Sequence, residues 1–225
     1  MASISTYGQL KDAVKNWLNR SDDVTTNAIP YFIEFAVKDF QRTVQLPNYE
    51  VTKTYDITAD NLAIDDAITL EDGYYEMKHF FVNNLPYNRV DVDTFYRLQA
   101  ENTIDNSFGL YSGDEMKGTT KQFYFTRIAD KIKTIPALQD GDTVRVIYWE
   151  EIENPELDGD QPDYLKVAPD IMLYLSLRHA AVFLRDNDQA QFWEQKAVES
   201  AQGLMRRLDL VEWSGSSLVV KEFRN

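Results

Sequence analysis

Apolar positions recur along this chain with two different periods, and the places where the period changes divide it. In "STYGQLKDAVKNWLNR", Leu10, Val14, Trp17 and Leu18 fall on one face at helical spacing, and Ser5 or Thr6 is placed to cap the helix. "SDDVTTNAIPYFIEFAVKDFQRTV" carries a second helical stripe of Ile29, Phe32, Ile33, Ala36 and Phe40. Pro30 is expected in its first turn, where an N–H lacks a helical partner anyway, and Pro47 marks the stop.

Beyond Pro47 the period shortens to two. "YEVTKTYDIT" alternates and is rich in β-branched residues, which predicts a strand from about Tyr49 to Thr58. "YYEMKHFFVNNLPYNRV" predicts a strand, a turn near Asn83–Asn84 and a return. "VDTFYRLQAEN" predicts a short helix capped by Asp91 or Asp93. "KQFYFTRIADKIKTIPAL" predicts a hairpin turning at Ala129–Asp130, and "DTVRVIYWEEI", after the turn Asp140-Gly141, is the clearest strand.

"ENPELDGDQPDYLKVAPD" reads as a polar linker, after which the helical period returns. Asp170 to Arg185 is apolar almost all round, so a helix buried on several sides is expected. "RDND" ends it; Asp186 and Asp188 are placed for local polar bonding and capping, and Asp188 can cap a following helix with the stripe Ala190, Trp193, Ala197, Ala201, Leu204 and Leu208. The tail "LVEWSGSSLVVKEFRN" has a Gly/Ser hinge and then a short β-prone run.

An isolated amphipathic helix pair cannot bury its own apolar faces. The expected fold class is therefore α+β: an antiparallel helix bundle formed by the N- and C-terminal helix pairs, an inserted antiparallel β domain, and an extended C-terminal arm. The boundaries expected are 1–47 for the first helices, 48–152 for the β insertion, 153–210 for the linker and helical hairpin, and 211–225 for the arm.

Composition narrows the function. There is no cysteine among the 225 residues, which excludes disulfides, thiolate nucleophiles, zinc–thiolate sites and iron–sulfur clusters. Lys and Arg number 23 against 37 Asp and Glu, a formal net charge of −14. A chain this acidic is poorly suited to gripping phosphates, which takes cationic side chains, although DNA can still pass along its surface. "MASISTYGQLKDAV" lacks a basic segment followed by an apolar run, so no signal peptide is expected, and no stretch approaches the roughly 20 apolar residues of a membrane span.

Candidate chemistry is sparse. The histidines are His79 and His179. Neither has a carboxylate at helical ligand spacing on a matching face; Asp186, seven positions after His179, is the nearest approach to one. Both histidines are read as structural. "LDGDQPD" lacks the ligand order of a calcium loop, "WSGSS" lacks the nucleophile-elbow pattern, and no phosphate-binding glycine loop occurs. The basic and aromatic residues of "KQFYFTRIADKIK" fit a hairpin with one packed and one solvated face. No catalytic, cofactor-binding or metal residue is assigned.

"APDIMLYLSLRHAAVFLRDNDQAQFWEQKAVESAQGL" resembles the C-terminal hairpin of phage head-to-tail adaptor proteins, similar to the tail tubular protein A and adaptor families of short-tailed phages. The shared positions are Pro169, Leu173, Tyr174, Ala180, Phe183, Leu184, Asp186, Trp193, Ala197 and Ala201. The opening resembles the same families through Tyr7, Leu10, Val14, Trp17, Leu18, Asn19, Arg20, Asp22 and Pro30. The two matching ends cover somewhat under half the chain.

The resemblance implies a structural virion protein without enzymatic activity or cofactor. Its subunits form a homo-oligomeric ring, usually a dodecamer, below the portal protein at the head-to-tail junction. The ring extends the DNA channel, contacts passing DNA without reading its sequence, and offers an attachment site to tail or nozzle proteins. In the tail, Trp213, Leu218, Val219, Val220 and Phe223 are the candidate partner-binding residues, too apolar for a solvating segment and too few for a core. They either dock on the portal or a neighbouring subunit, or fold back on their own helices. A receptor- or carbohydrate-binding module on a helical stalk is the alternative, since the β block is rich in aromatics. A hydrolase using paired carboxylates is a third reading, but no pair stands out among so many acids.

Overall fold

The computed structural model describes residues 4–59, 68–70, 72–107 and 123–213. The fold is α+β, and the chain divides into two compact units: Met1–Tyr49 with Ile152–Asn225, and Glu50–Glu151.

The first unit is built on helices. Helix α1 spans Tyr7–Leu18 and starts at Thr6, whose Oγ1 accepts from the Gln9 N–H at 3.2 Å while Gln9 Oε1 accepts from the Thr6 N–H at 3.3 Å. This reciprocal pair satisfies two N–H groups that have no helical partner. Asn19 closes the helix in the left-handed conformation, φ 49°. Helix α2 spans Asp23–Thr43 and is capped by Asp22, whose Oδ2 accepts from the Thr25 N–H at 2.9 Å. Because that cap sets the start at Asp23, Pro30 lies inside the helix and not in its first turn as expected. The ring leaves the Thr26 carbonyl without its usual N–H donor.

The expected linker is more ordered than its composition suggests. Asp160 Oδ2 accepts from the Glu156 and Leu157 N–H groups, and the Asp160 and Asp158 carbonyls accept from the Tyr7 and Gly8 N–H groups. Gly8 suits this close approach, since a Cβ there would sit 3.0 Å from the Asp158 carbonyl oxygen and Asp158 would have to shift by a few tenths of an ångström. Helix α3, Val92–Ser107, belongs to the second unit and comes earlier in the chain; a one-turn helix α4, Asp163–Val167, sits within the supposed linker with Tyr164 and Leu165 buried. Helix α5 spans Pro169–Phe183 and helix α6 spans Asn187–Trp213. Arg185 takes a left-handed turn, φ 60°, and Asp186 then caps α6, with its Oδ1 accepting from the Gln189 N–H. Of the two aspartates expected to serve here, Asp186 is the cap, and Asp188 falls in the first turn.

Buried faces of α1, α2, α4, α5 and α6 share one core, including Leu10, Phe40, Tyr164, Met172 and Leu177. Ala197 and Ala201 bring α6 close to α5. Phe183, within the stretch expected to be buried on several sides, is 47% exposed.

The second unit holds two sheets. Strands β1 (Glu50–Asp56), β3 (Tyr74–Val82), β4 (Leu85–Pro86) and β8 (Thr143–Glu150) form one, in the order β1-β8-β3-β4. Strands β2 (Ile68–Thr69), β5 (Asn88–Arg89), β6 (Tyr124–Ile128) and β7 (Lys131–Ile135) form the other, in the order β2-β7-β6-β5. The turns lie where the sequence places them: Asn83 and Asn84 at φ 50° and 65°, and Ala129 at φ 56°. The expected return strand, however, is split. Pro86 has no N–H to continue the ladder, and the chain passes into β5, which pairs parallel with β6 in the other sheet. Val144, Val146 and Tyr148 alternate into the core along β8, and Phe80 stacks on Phe125 at 4.8 Å between ring centres. Asp91 caps α3, which is longer than the short helix expected and buries Phe95.

Candidate functional site

In the first unit, charged side chains from three helices meet. Arg178 lies on α5, a helix otherwise apolar nearly all round, and its guanidinium forks between two neighbours. One nitrogen pairs with Glu194 of α6 at 2.5 Å and the other with Asp39 of α2. Asp39 also accepts from Arg42 at 3.2 Å. His179 Nε2 lies 2.8 Å from Asp39 Oδ2 and 2.9 Å from Arg178 Nη2. One ring nitrogen can donate to the carboxylate or accept from the guanidinium, so the tautomer decides which contact is a hydrogen bond. Burial pushes the His179 pKa below its ordinary value; the hydrogen bond to Asp39 opposes the shift and the Arg178 charge adds to it. Phe35 packs beside the imidazole at 5.5 Å.

This arrangement ties α2, α5 and α6 together. It brings no nucleophile to a base, and among the described residues no group of three His, Cys, Asp or Glu side chains could hold a metal ion. The carboxylate near His179 is Asp39, a long way off in sequence, and not Asp186, which is occupied with its cap. One signal could have found it: a charged residue in the middle of an apolar helix requires partners from the helices packed around it.

A second cluster is aromatic. Trp17 of α1, Tyr174 of α5 and Trp193 of α6 lie 5.6–6.3 Å apart, with Tyr174 stacked on Trp193. All three are among the positions that carry the adaptor resemblance at the two ends of the sequence. On α2, Val24, Tyr31 and Phe35 are more than half exposed along one stripe.

In the second unit His79 is exposed on β3 beside Phe81. The basic hairpin of β6 and β7 lacks the solvated face expected of it: no residue of either strand is exposed, and Phe125 and Thr126, neighbours that point to opposite faces, are both buried, as are Ile132, Thr134 and Ile135. Lys78 pairs with Glu50 at 2.9 Å, and Arg127 lies over the Tyr74 ring at 4.5 Å.

Of the candidate partner-binding residues, Trp213 is the last residue of α6, so the helix extends into the segment assigned to the arm. Leu218, Val219, Val220 and Phe223 lie outside the described residues.

A family model for the SU10 adaptor protein matches residues 5–220. The chain therefore belongs to that family of phage head-to-tail adaptors, and its role is structural. Comparison with curated proteins finds no match.

Proposed function

We propose that this SU10-family adaptor chain is one subunit of a ring, a dodecamer, that docks below the portal, continues the DNA channel and presents an attachment surface to tail or nozzle proteins. The family match over residues 5–220 carries this reading. Two features support it. The exposed stripe of Val24, Tyr31 and Phe35 gives a neighbouring copy an apolar surface to cover. The net charge of −14 discourages passing DNA from adhering. The N- and C-terminal helices form the bundle that stacks around the ring, the segment Glu50–Glu151 is the insertion, and the arm from Trp213 onward makes the portal contact through Leu218, Val219, Val220 and Phe223.

The test is attachment. Purified chain mixed with portal protein should co-sediment as a ring-bearing complex visible by cryo-electron microscopy. A chain ending at Trp213 should keep its helical circular-dichroism signal and lose attachment. Attachment undiminished by the truncation would overturn the role given to the arm, and failure of the full chain to bind any portal would overturn the ring reading itself.

A further inference from the structure

In the first unit Arg178 is held between two carboxylates, and in the second Lys78 is held by Glu50. Two arginines of the second unit are placed differently. Arg89 ends β5 and Arg127 lies on β6, the strand paired beside it. Both line one open cavity of ≈ 460 Å³, together with Val90, Asp91, Val92 and Thr126. That volume falls in the range of roughly 300–1,000 Å³ usual for ligand clefts. Among the described residues neither guanidinium pairs with a carboxylate.

Arg127 is fixed in place without being neutralised. Its Nε donates to the Ala129 carbonyl at 2.7 Å, and its guanidinium lies 4.5 Å over the centre of the Tyr74 ring. The Tyr74 oxygen accepts from the same guanidinium. Burial raises the Tyr74 pKa, and the charges of Arg127 and Arg89 oppose the rise, so both arginines act at one hydroxyl. A guanidinium held by a ring and a carbonyl keeps its charge, and it has less freedom left to lose when an anion binds. The start of α3 lies on the same wall. Val92 and Asp93 head that helix, where N–H groups have no helical acceptor, and Val92 lines the cavity. The Asp91 carboxylate is engaged by the cap, accepting from the Thr94 N–H at 2.9 Å. Asp93 adds an exposed carboxylate in the first turn, which limits the affinity for an anion.

We infer that the cavity between β5, β6 and the start of α3 binds a phosphate group, with Arg89 and Arg127 as its cationic contacts and Tyr74 as the residue that positions Arg127. The donors come from two strands and a helix end. A carboxylate turns two oxygens in one plane toward them, whereas a phosphate group has oxygens facing several directions. The group can be free phosphate or a phosphodiester of DNA, which share this chemistry. The formal charge of −14 opposes the approach of any anion, so the site is weak; at about 0.1 M salt, where the Debye length is about 10 Å, the two nearby guanidiniums outweigh the distant acids. The inference concerns the second unit alone and does not rest on the adaptor reading.

The test is a titration of the full-length, isotope-labelled chain with sodium phosphate at constant ionic strength, followed by its amide NMR shifts. The amides of Val92, Asp93 and Arg127 should shift and saturate. Arg89→Ala should weaken binding by about tenfold or more, as expected for losing a hydrogen bond to a charged group, and Arg89→Ala/Arg127→Ala should abolish saturation. Unchanged amide positions in the first unit check that both variants fold. Sodium acetate, the carboxylate control, should bind about tenfold more weakly than phosphate. A short DNA duplex separates the sources. If it moves the same three amides, and the double variant loses the effect, the phosphodiester is the ligand; if they stay in place with the duplex and saturate with phosphate, the free anion is. Saturation with neither, equal affinity for acetate, or affinity unchanged in Arg89→Ala would overturn the inference.

Discussion

His179 and its partners show how much a single position can depend on residues far away in sequence. The imidazole is pressed by Phe35, faces Asp39 and Arg178, and lies near the chain of charges that runs on to Glu194 and Arg42. Burial favours the neutral ring, so the folded pKa lies below the unfolded value of about 6.5. The sign of the linkage follows. Above the unfolded pKa both states are neutral and the contribution to stability is complete. As pH falls below about 6.5 the unfolded chain takes up the proton first, and stability declines until the folded pKa is passed. Urea midpoints measured from about pH 8 to pH 5 should therefore fall more steeply for the native chain than for His179→Gln. The carboxylates titrate in both proteins, so the difference isolates the imidazole; equal slopes would show that its folded and unfolded pKa values coincide.

At the scale of elements, legibility followed period and length. The stripe of α2, the alternation of β8 and the Asn83–Asn84 turn each rest on a repeated local pattern, and each is where the sequence places it. Helix α4 spans Asp163–Val167, too short to show a period, and it sits between prolines that read as linker. The choice between Asp186 and Asp188 as cap is settled by the left-handed Arg185, a backbone feature without a local signal. Burial around α5 was over-extended: Leu177 is fully buried while Phe183, at the last turn, meets Phe32 on one side and solvent on the other. Leu177→Ala should thus cost about 2–5 kcal/mol, a large share of the roughly 5–15 kcal/mol that holds a domain together. Phe183→Ala should cost less by about 1 kcal/mol or more, since less apolar area returns to water. Chemical denaturation of the two variants decides it, and equal losses would place Phe183 in the core after all.

For the whole molecule, assembly sets exposed apolar surface against charge. On the proposed ring Tyr31 and Phe35 would favour contact between copies, and because they are 61% and 52% exposed, completing the burial of one ring is worth about half of the roughly 1.5–3 kcal/mol for a whole side chain. Every copy also carries a formal charge of −14, so bringing copies together costs electrostatic work that grows as more join. At about 0.1 M salt the Debye length is about 10 Å, long enough for that repulsion to act between adjacent surfaces. At about 1 M it shrinks to about 3 Å and the apolar contact acts with little opposition. A portal would relieve the same cost by adding favourable contacts to each copy and holding neighbours in register. The isolated chain at micromolar concentration should therefore sediment as a monomer at about 0.1 M salt and shift toward larger species at about 1 M. Phe35→Asp should suppress that shift, because it places a charge within the apolar stripe. A stable dodecamer at low salt without portal would show that the contacts between copies overcome the charge unaided, and the template step would then have no part in ordering assembly.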